Sequence, residues 1–351
     1  MARKSDIKKI GEQVQADSQI EMLKRQICEK EARHKDTLKY VSTLEARLGW
    51  AEAIKAPPRI REWTETKAKK TTKAVAMVDL SDWHVGEVVT LDGTNGMNEF
   101  NPQIAERRIK RVFEKIPEYI ERYVPMSNRL YLSLLGDFIT GHIHPELAES
   151  NSMFPVEECL FASDHICSGI HYLLPRIKGD IVLPCCVGNH GRTTEKRRIK
   201  TNAQNSFEWG MYNQLVRYFR NEPRVNFLLT EGYHNIVEIY GRKVRYHHGE
   251  AFNYGGGVGG PLIPILKKTA AWNNSPMKCE LDKFGHLHTF MNYKGIVGNG
   301  SLIGYSDFAI SFGGAYEPPA QSFTVFSEKR GKHLTTEIFC DAWKSIPTIR
   351  D

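Results

Sequence analysis

Five short signals in this chain carry residues able to grip a metal ion: Asp82-Trp83-His84, Gly136-Asp137, Gly188-Asn189-His190, His247-His248-Gly249 and Gly285-His286-Leu287-His288. Carboxylate and carboxamide oxygens mixed with imidazole nitrogens suit Mn²⁺, Fe²⁺ or Zn²⁺ better than an all-oxygen Mg²⁺ site would. Asp82 and His84 are two residues apart, so in an extended segment both side chains fall on one face and can reach one cation. Asp137 ends a near-continuous apolar run, where an unpaired carboxylate is costly; it either meets a cation or caps a following helix. Asn189 offers a carbonyl oxygen, and Gly188 before it lets the backbone turn sharply. His286 and His288 place two imidazoles side by side. Any one signal is weak, because Asp-x-His pairs and single histidines are common as ordinary satisfied polar groups. The weight lies in the set.

Such ligands need rigid elements behind them, and the preceding stretches read as buried strands: Ala74 to Leu80, Leu130 to Leu135 and Ile181 to Val187. Between the first two lies an amphipathic helix in which Ile109, Val112, Phe113, Ile116 and Ile120 share a face. Helical periodicity returns around residues 155 to 175 and 203 to 220. Three β-like runs follow, Val225 to Leu229, Asn235 to Tyr240 and Lys243 to His247, and alternating apolar residues suggest more strands from 290 onward. Strand and helix alternate first and strands dominate later. That order predicts an α/β fold, a two-sheet β-sandwich flanked by helices.

Residues 5 to about 48 read as one long helix rich in helix formers. Ile20, Ile27, His34, Val41 and Leu48 at a positions, with Leu23, Lys30, Thr37 and Leu44 at d, make a short coiled-coil seam with a polar middle. The seam serves self-association into a homo-oligomer, or it packs on the rest of the chain, or it frays. Gly49 and then Pro57-Pro58 end the pattern, and Lys67, Lys69, Lys70 and Lys73 mark a solvated linker. The expected organisation is a helical arm over 1–50, a linker over 51–73 and a catalytic domain over 74–351.

At 351 residues the chain can hold one large domain with an appendage. No apolar run is long enough to span a bilayer, and no secretory core follows the N-terminus, so a cytoplasmic protein without membrane contact is expected. Seven cysteines without a C-x-x-C pair indicate neither a disulfide framework nor a zinc ribbon. Cys185 and Cys186 read as core. The formal charge of +7 favours an anionic partner only modestly.

The order and spacing of the five signals resemble the calcineurin-like metallophosphoesterases, a superfamily of two-metal phosphate-ester hydrolases, over about residues 74 to 320. The resemblance implies that Asp82, His84 and His288 hold one cation, that Asn189, His248 and His286 hold another, and that Asp137 bridges them. His190 would sit beside the metals, stabilising developing charge or protonating the leaving oxygen. Two divalent ions, Mn²⁺ first with Fe²⁺ or Zn²⁺ as alternatives, would lie about 4 Å apart and share a hydroxide for in-line attack. The superfamily usually has an acidic residue after Asn-His that is thought to orient the imidazole. Here Gly191 follows, so another group must fix the His190 tautomer. His248 is taken as the ligand because the pattern commonly reads His-Gly; His247 would then point to the other face of its strand.

Basic residues cluster after the third signal, at Arg192, Lys196, Arg197, Arg198 and Lys200, with a second set at Arg107, Arg108, Lys110 and Arg111. The first set either neutralises backbone phosphates or forms a solvated helix face. His142 and His144 either contact substrate or are ordinary loop histidines. The glycine run Gly255-Gly256-Gly257-Val258-Gly259-Gly260 is a lid over the site or a flexible connection. It matches the letters of a dinucleotide fingerprint but follows no strand directly, so that reading is set aside. The leading expectation is a DNA nuclease resembling the DNA-repair branch of the superfamily, with a look of its phage-encoded members. The alternatives are a phosphomonoesterase acting on a phosphoprotein or small nucleotide, and a non-catalytic metal-binding scaffold.

Overall fold

The computed structural model describes residues 2–55, 73–252, 260–311 and 313–342. The chain divides into two compact units, Met1–Lys69 and Lys70–Asp351. The first contains helix α1 (Ala2–Lys55). Gly49 was expected to end this helix, yet the helix runs on for another turn and a half. One interior glycine costs only about 1 kcal/mol relative to alanine, and helix formers flank it on both sides. The expected seam residues Ile20, Leu23, Ile27, Val41, Leu44 and Leu48 are exposed along α1. The linker markers Pro57, Pro58, Lys67, Lys69 and Lys70, and the glycine run from Gly255 to Gly259, lie outside the described residues. No described helix is long and apolar enough to cross a membrane.

The second unit opens with β1 (Ala74–Leu80), α2 (Pro102–Tyr123), β2 (Arg129–Leu134), α3 (Pro145–Ser150), α4 (Pro155–Leu173), β3 (Asp180–Cys185), α5 (Phe207–Tyr218) and β4 (Val225–Leu229). It continues with β5 (Asn235–Ile239), β6 (Arg242–Tyr246), α6 (Leu262–Asn273), β7 (Leu281–Phe284), β8 (Met291–Tyr293) and β9 (Ile296–Gly298). It closes with α7 (Asp307–Ser311), β10 (Ala320–Ser327) and β11 (Gly331–Phe339). Two mixed sheets result, ordered β11-β10-β1-β2-β3-β4 and β5-β6-β7-β9-β8. β1 to β4 run parallel, and β10 and β11 return antiparallel beside β1. In the second sheet β6, β7 and β9 are parallel, with β5 and β8 as antiparallel edges. This is the expected two-sheet sandwich flanked by helices.

Alternation along β1 sets the layers. Ala76, Val78 and Leu80 join a core with α2, α4 and α5, while Val75 and Met77 face Val244, Tyr246 and Leu281 of the second sheet. On the outer side of the second sheet, Phe252, Phe284 and Ile296 pack with Ile265 of α6. Asn101 caps α2 by accepting the Ile104 N–H at 2.9 Å, and Pro102 fits the first helical position. Cys185 and Cys186 are buried, as read from the sequence. Arg108 of the second basic set is buried and pairs with Asp341 at 2.8 Å, while its Nη1 bonds the Leu302 and Ile303 carbonyls. It ties α2 to the loop after β9 and to the segment after β11.

The two sheets are also joined by a buried ion pair. Lys283 of β7 lies 2.9 Å from Asp79 of β1, and neither side chain is exposed. Asp79 accepts further hydrogen bonds from the Ser133 and Ser322 hydroxyls, and Lys283 donates to Thr324 Oγ1 at 3.0 Å. Burial lowers the Lys283 pKa, and Asp79 opposes that shift.

Candidate metal centre

All five signals begin just past the carboxyl ends of strands, β1, β2 and β3 in one sheet and β6 and β7 in the other. In a parallel sheet that edge is where ligands are gathered. The backbone ladder continues beyond the strands, from Asp82 N–H to the Gly136 carbonyl at 3.0 Å and from Trp83 N–H to the Asp137 carbonyl at 2.8 Å. In the second sheet the Gly285 N–H meets the His248 carbonyl at 2.8 Å. The His286 N–H then donates to both oxygens of Asp82, at 2.9 and 3.0 Å, so the two sheets meet at a ligand.

The side chains converge in overlapping groups. Asp82, His84 and His288 bring ligand atoms within 4.8 Å of one another, and so do Asp137, His248 and His286, and again His84, Asp137 and His190. His84 Nε2 faces His288 Nε2 at 3.1 Å. His248 Nε2 lies 2.8 Å from Asp137 Oδ2 and 3.1 Å from Asn189 Oδ1. Asn189 thus joins the second group.

The donors fit divalent cations. His248 gives its Nδ1 hydrogen to the Leu135 carbonyl at 2.7 Å, which leaves the Nε2 lone pair aimed at the cluster. Burial, then the neighbouring His190 and His288, hold His84 well below its ordinary pKa, and burial with His248 lowers His286 to about 3. Both rings are therefore neutral and able to ligate. Burial alone would lower His248 too, but Asp137 beside it outweighs burial and raises this imidazole. His247 is turned away, stacked on Phe284 at 5.4 Å and beside Trp272 at 5.1 Å.

The backbone pays for this convergence with strain. Among the described residues eight non-glycine positions have left-handed φ, and five are Asp82 (54°), His84 (47°), Asp137 (52°), His286 (69°) and His288 (54°). Each such residue costs on the order of 1–3 kcal/mol and persists only where its surroundings hold it. Gly136 and Gly188 are needed for another reason. A Cβ on Gly136 would lie 2.3 Å from Gly188 N, so the two loops touch backbone to backbone.

What orients His190 is now visible. Its Nδ1 hydrogen goes to the Thr140 carbonyl at 2.8 Å, and its N–H to Asp137 Oδ1 at 2.8 Å. The main chain fixes the tautomer that an acidic neighbour would otherwise have fixed. Two supporting residues escaped the sequence reading, Glu208 of α5 and Glu158 of α4, both fully buried. Glu208 accepts the Phe138 and Gly188 N–H groups at 2.7 Å each, and Glu158 accepts the Gly141 N–H at 2.9 Å. Burial and then Asp137 push Glu208 up while the Gly188 and Phe138 N–H groups pull it down, and burial raises Glu158 to about 7. Nothing local marks them, since each looks like an ordinary first-turn helix glutamate.

Arg192, Lys196 and Arg197 line a cleft of about 390 Å³ together with Glu195 and Glu250, and the cleft reaches Asn189 and His286. Arg192 is held by the Asn189 carbonyl at 2.8 Å and the Thr194 carbonyl at 3.2 Å. Arg197 pairs with Glu250 at 2.9 Å. His142 and His144 are exposed and lie in neither the cleft nor the ligand groups; His142 rests beside Phe154 at 5.9 Å, and His144 precedes α3.

Comparison by sequence finds no matching family model and no matching curated protein. Solved structures with a similar fold include an uncharacterised protein described as a predicted phosphoesterase from Streptococcus pneumoniae TIGR4. It is 12% identical, with 76% of this chain and 98% of that one covered and a TM-score of 0.30. Vacuolar Protein Sorting 29 from Cryptosporidium parvum is 10% identical, with coverages of 73% and 86% and a TM-score of 0.31. The sulfate thiohydrolase SoxB from Thermus thermophilus is 8% identical, with coverages of 77% and 57% and a TM-score of 0.32.

Proposed function

We propose that this chain is a calcineurin-like metallophosphoesterase that hydrolyses phosphodiester bonds in DNA, with two divalent cations, Mn²⁺ foremost, as its cofactors. The observation that carries the reading is the convergence of Asp82, His84, Asp137, Asn189, His248, His286 and His288 beside a cleft lined by Arg192 and Lys196. Asp82, His84 and His288 would hold one cation; Asn189, His248 and His286 the other, with Asp137 shared. When bound, such a pair polarises the phosphoryl oxygens and supplies a nucleophile at neutral pH. His190, fixed by Thr140, turns its Nε2 toward the same cluster and can hold or pass a proton at the leaving oxygen. Arg192, held by two carbonyls, presents a preorganised guanidinium for a phosphate. The exposed apolar seam of α1 supports self-association of the arm into a homo-oligomer.

A second reading has its own support. Arg197 is neutralised by Glu250 and Glu195 joins the cleft, which suits a single small phosphate better than a long polyanion. A phosphomonoesterase is therefore the competing function. Incubation with Mn²⁺ and labelled single-stranded, double-stranded and nicked DNA, alongside a small aryl phosphomonoester, separates the two. Cleavage of DNA that is lost in Asp137→Asn supports the nuclease; turnover of the monoester alone removes it.

A further inference from the structure

We propose that Glu208 is the positioning residue for the cation site of Asp137, Asn189, His248 and His286, and that residue 191 is glycine because this carboxylate fills the space beside it. The inference rests on the two-cation reading above and adds to it the part of the chain that sets one site apart from the other.

Asp137 and Asn189 come from loops after different strands, β2 and β3, and must be held at a fixed separation to share a cation. Glu208 does this with one side chain. One oxygen takes the N–H of Phe138, the residue after Asp137, and the other takes the N–H of Gly188, the residue before Asn189, both at 2.7 Å. The carboxylate is fully buried, so neither bond competes with water. One helical turn later Tyr212 donates its hydroxyl to the Cys186 carbonyl at 2.9 Å, which seats α5 against the end of β3. A Cβ on Gly191 would lie 2.9 Å from Glu208 Cγ and 3.2 Å from both Glu208 Cδ and Ser206 Oγ, so a side chain there presses first on Glu208. A glutamine at 208 has one oxygen for two N–H groups and sets its own NH₂ against the other. The Asp82, His84 and His288 group has different supports: Asp82 is held by Ser81 Oγ and the His286 N–H.

The test uses the full-length, metal-depleted protein titrated with Mn²⁺ by calorimetry, with electron paramagnetic resonance of the loaded samples. Wild type takes up two equivalents and shows a spin-coupled pair. Glu208→Gln keeps one tight equivalent, binds the second about 10–100-fold more weakly, the usual cost of losing a ligand's supporting partner, and shows the spectrum of an isolated ion. Gly191→Ala retains the carboxylate but pushes it aside, and it gives the same split; it also serves should Glu208→Gln fail to fold. Two unweakened equivalents in both variants would overturn the inference while leaving the two-cation reading intact. Loss of both equivalents together from folded variants would also overturn it, by making Glu208 a general support. A wild type that takes fewer than two equivalents overturns the reading beneath it and this inference with it.

Discussion

The two halves of the metal centre are built differently. The ligands after β1, β2 and β3 sit on adjacent parallel strands whose loops bond to one another by main chain, and two buried glutamates grip them from the helix side. Among the described residues, the ligands after β6 and β7 have one such main-chain bond between their loops, from Gly285 to His248. They are aligned largely by the first half: His286 through Asp82, His248 through the Leu135 carbonyl and Asp137. One half is braced internally and the other is braced against it. Substitution of Asp137, the first-half residue shared by both proposed cation sites, should therefore disturb both, while substitutions in the second half should stay local.

Asp137 tests this most severely, because it touches both halves. Asp137→Asn should abolish hydrolysis and weaken Mn²⁺ binding by more than the roughly 100-fold that losing an outer partner costs, measured by calorimetry. His288→Ala, by contrast, should lose one equivalent and leave the other bound; loss of both would erase the asymmetry. The joint between the sheets comes next. Lys283→Met leaves Asp79 buried and unpaired and should cost about 3–5 kcal/mol in urea unfolding, whereas a double replacement of both partners by apolar residues recovers most of it. Arg192→Ala lies outside both halves and should raise KM about tenfold with little change in kcat, losing one charge-assisted contact. On DNA it should also lower the salt dependence of binding by about one unit.

The smallest expected effect is a pH slope in the internally braced half. Burial raises Glu158 from 4.5 to about 7 in the folded chain, against the pull of the Gly141 N–H. The native state therefore holds this proton to higher pH than the unfolded state does. Its contribution to stability is full below the unfolded value and drains away as pH rises toward and through 7. Urea midpoints in EDTA should fall across that window in wild type and fall less steeply in Glu158→Gln, with Glu87 and Glu208, also raised by burial, supplying the remaining slope.

The ligand signals were legible because an apolar run that stops at a carboxylate or imidazole leaves few other uses for it. β1 and β4 begin and end where their apolar runs do, and the remaining early strands differ by a residue or two. Helix α6 was not read, since the glycine run and Pro261 before it looked like loop. The extension of α1 past Gly49 was missed because a glycine is a weak breaker among strong helix formers. Glu158, Glu208 and Arg108 could not be found by pattern: a charged residue on a helix reads as solvated until the loop it meets is known. The Thr140 carbonyl that orients His190 belongs to the backbone, which sequence does not mark at all.

The left-handed turns at Asp82, His84, Asp137, His286 and His288 carry a further consequence. Glycine adopts that geometry without penalty, so at the three imidazoles a chain shaped by durability alone would relieve strain by giving up the side chain. Directed selection for heat resistance without an activity screen should drift toward glycine at His84, His286 and His288 before Asp82 and Asp137, whose carboxylates also hold the His286 and His190 N–H groups.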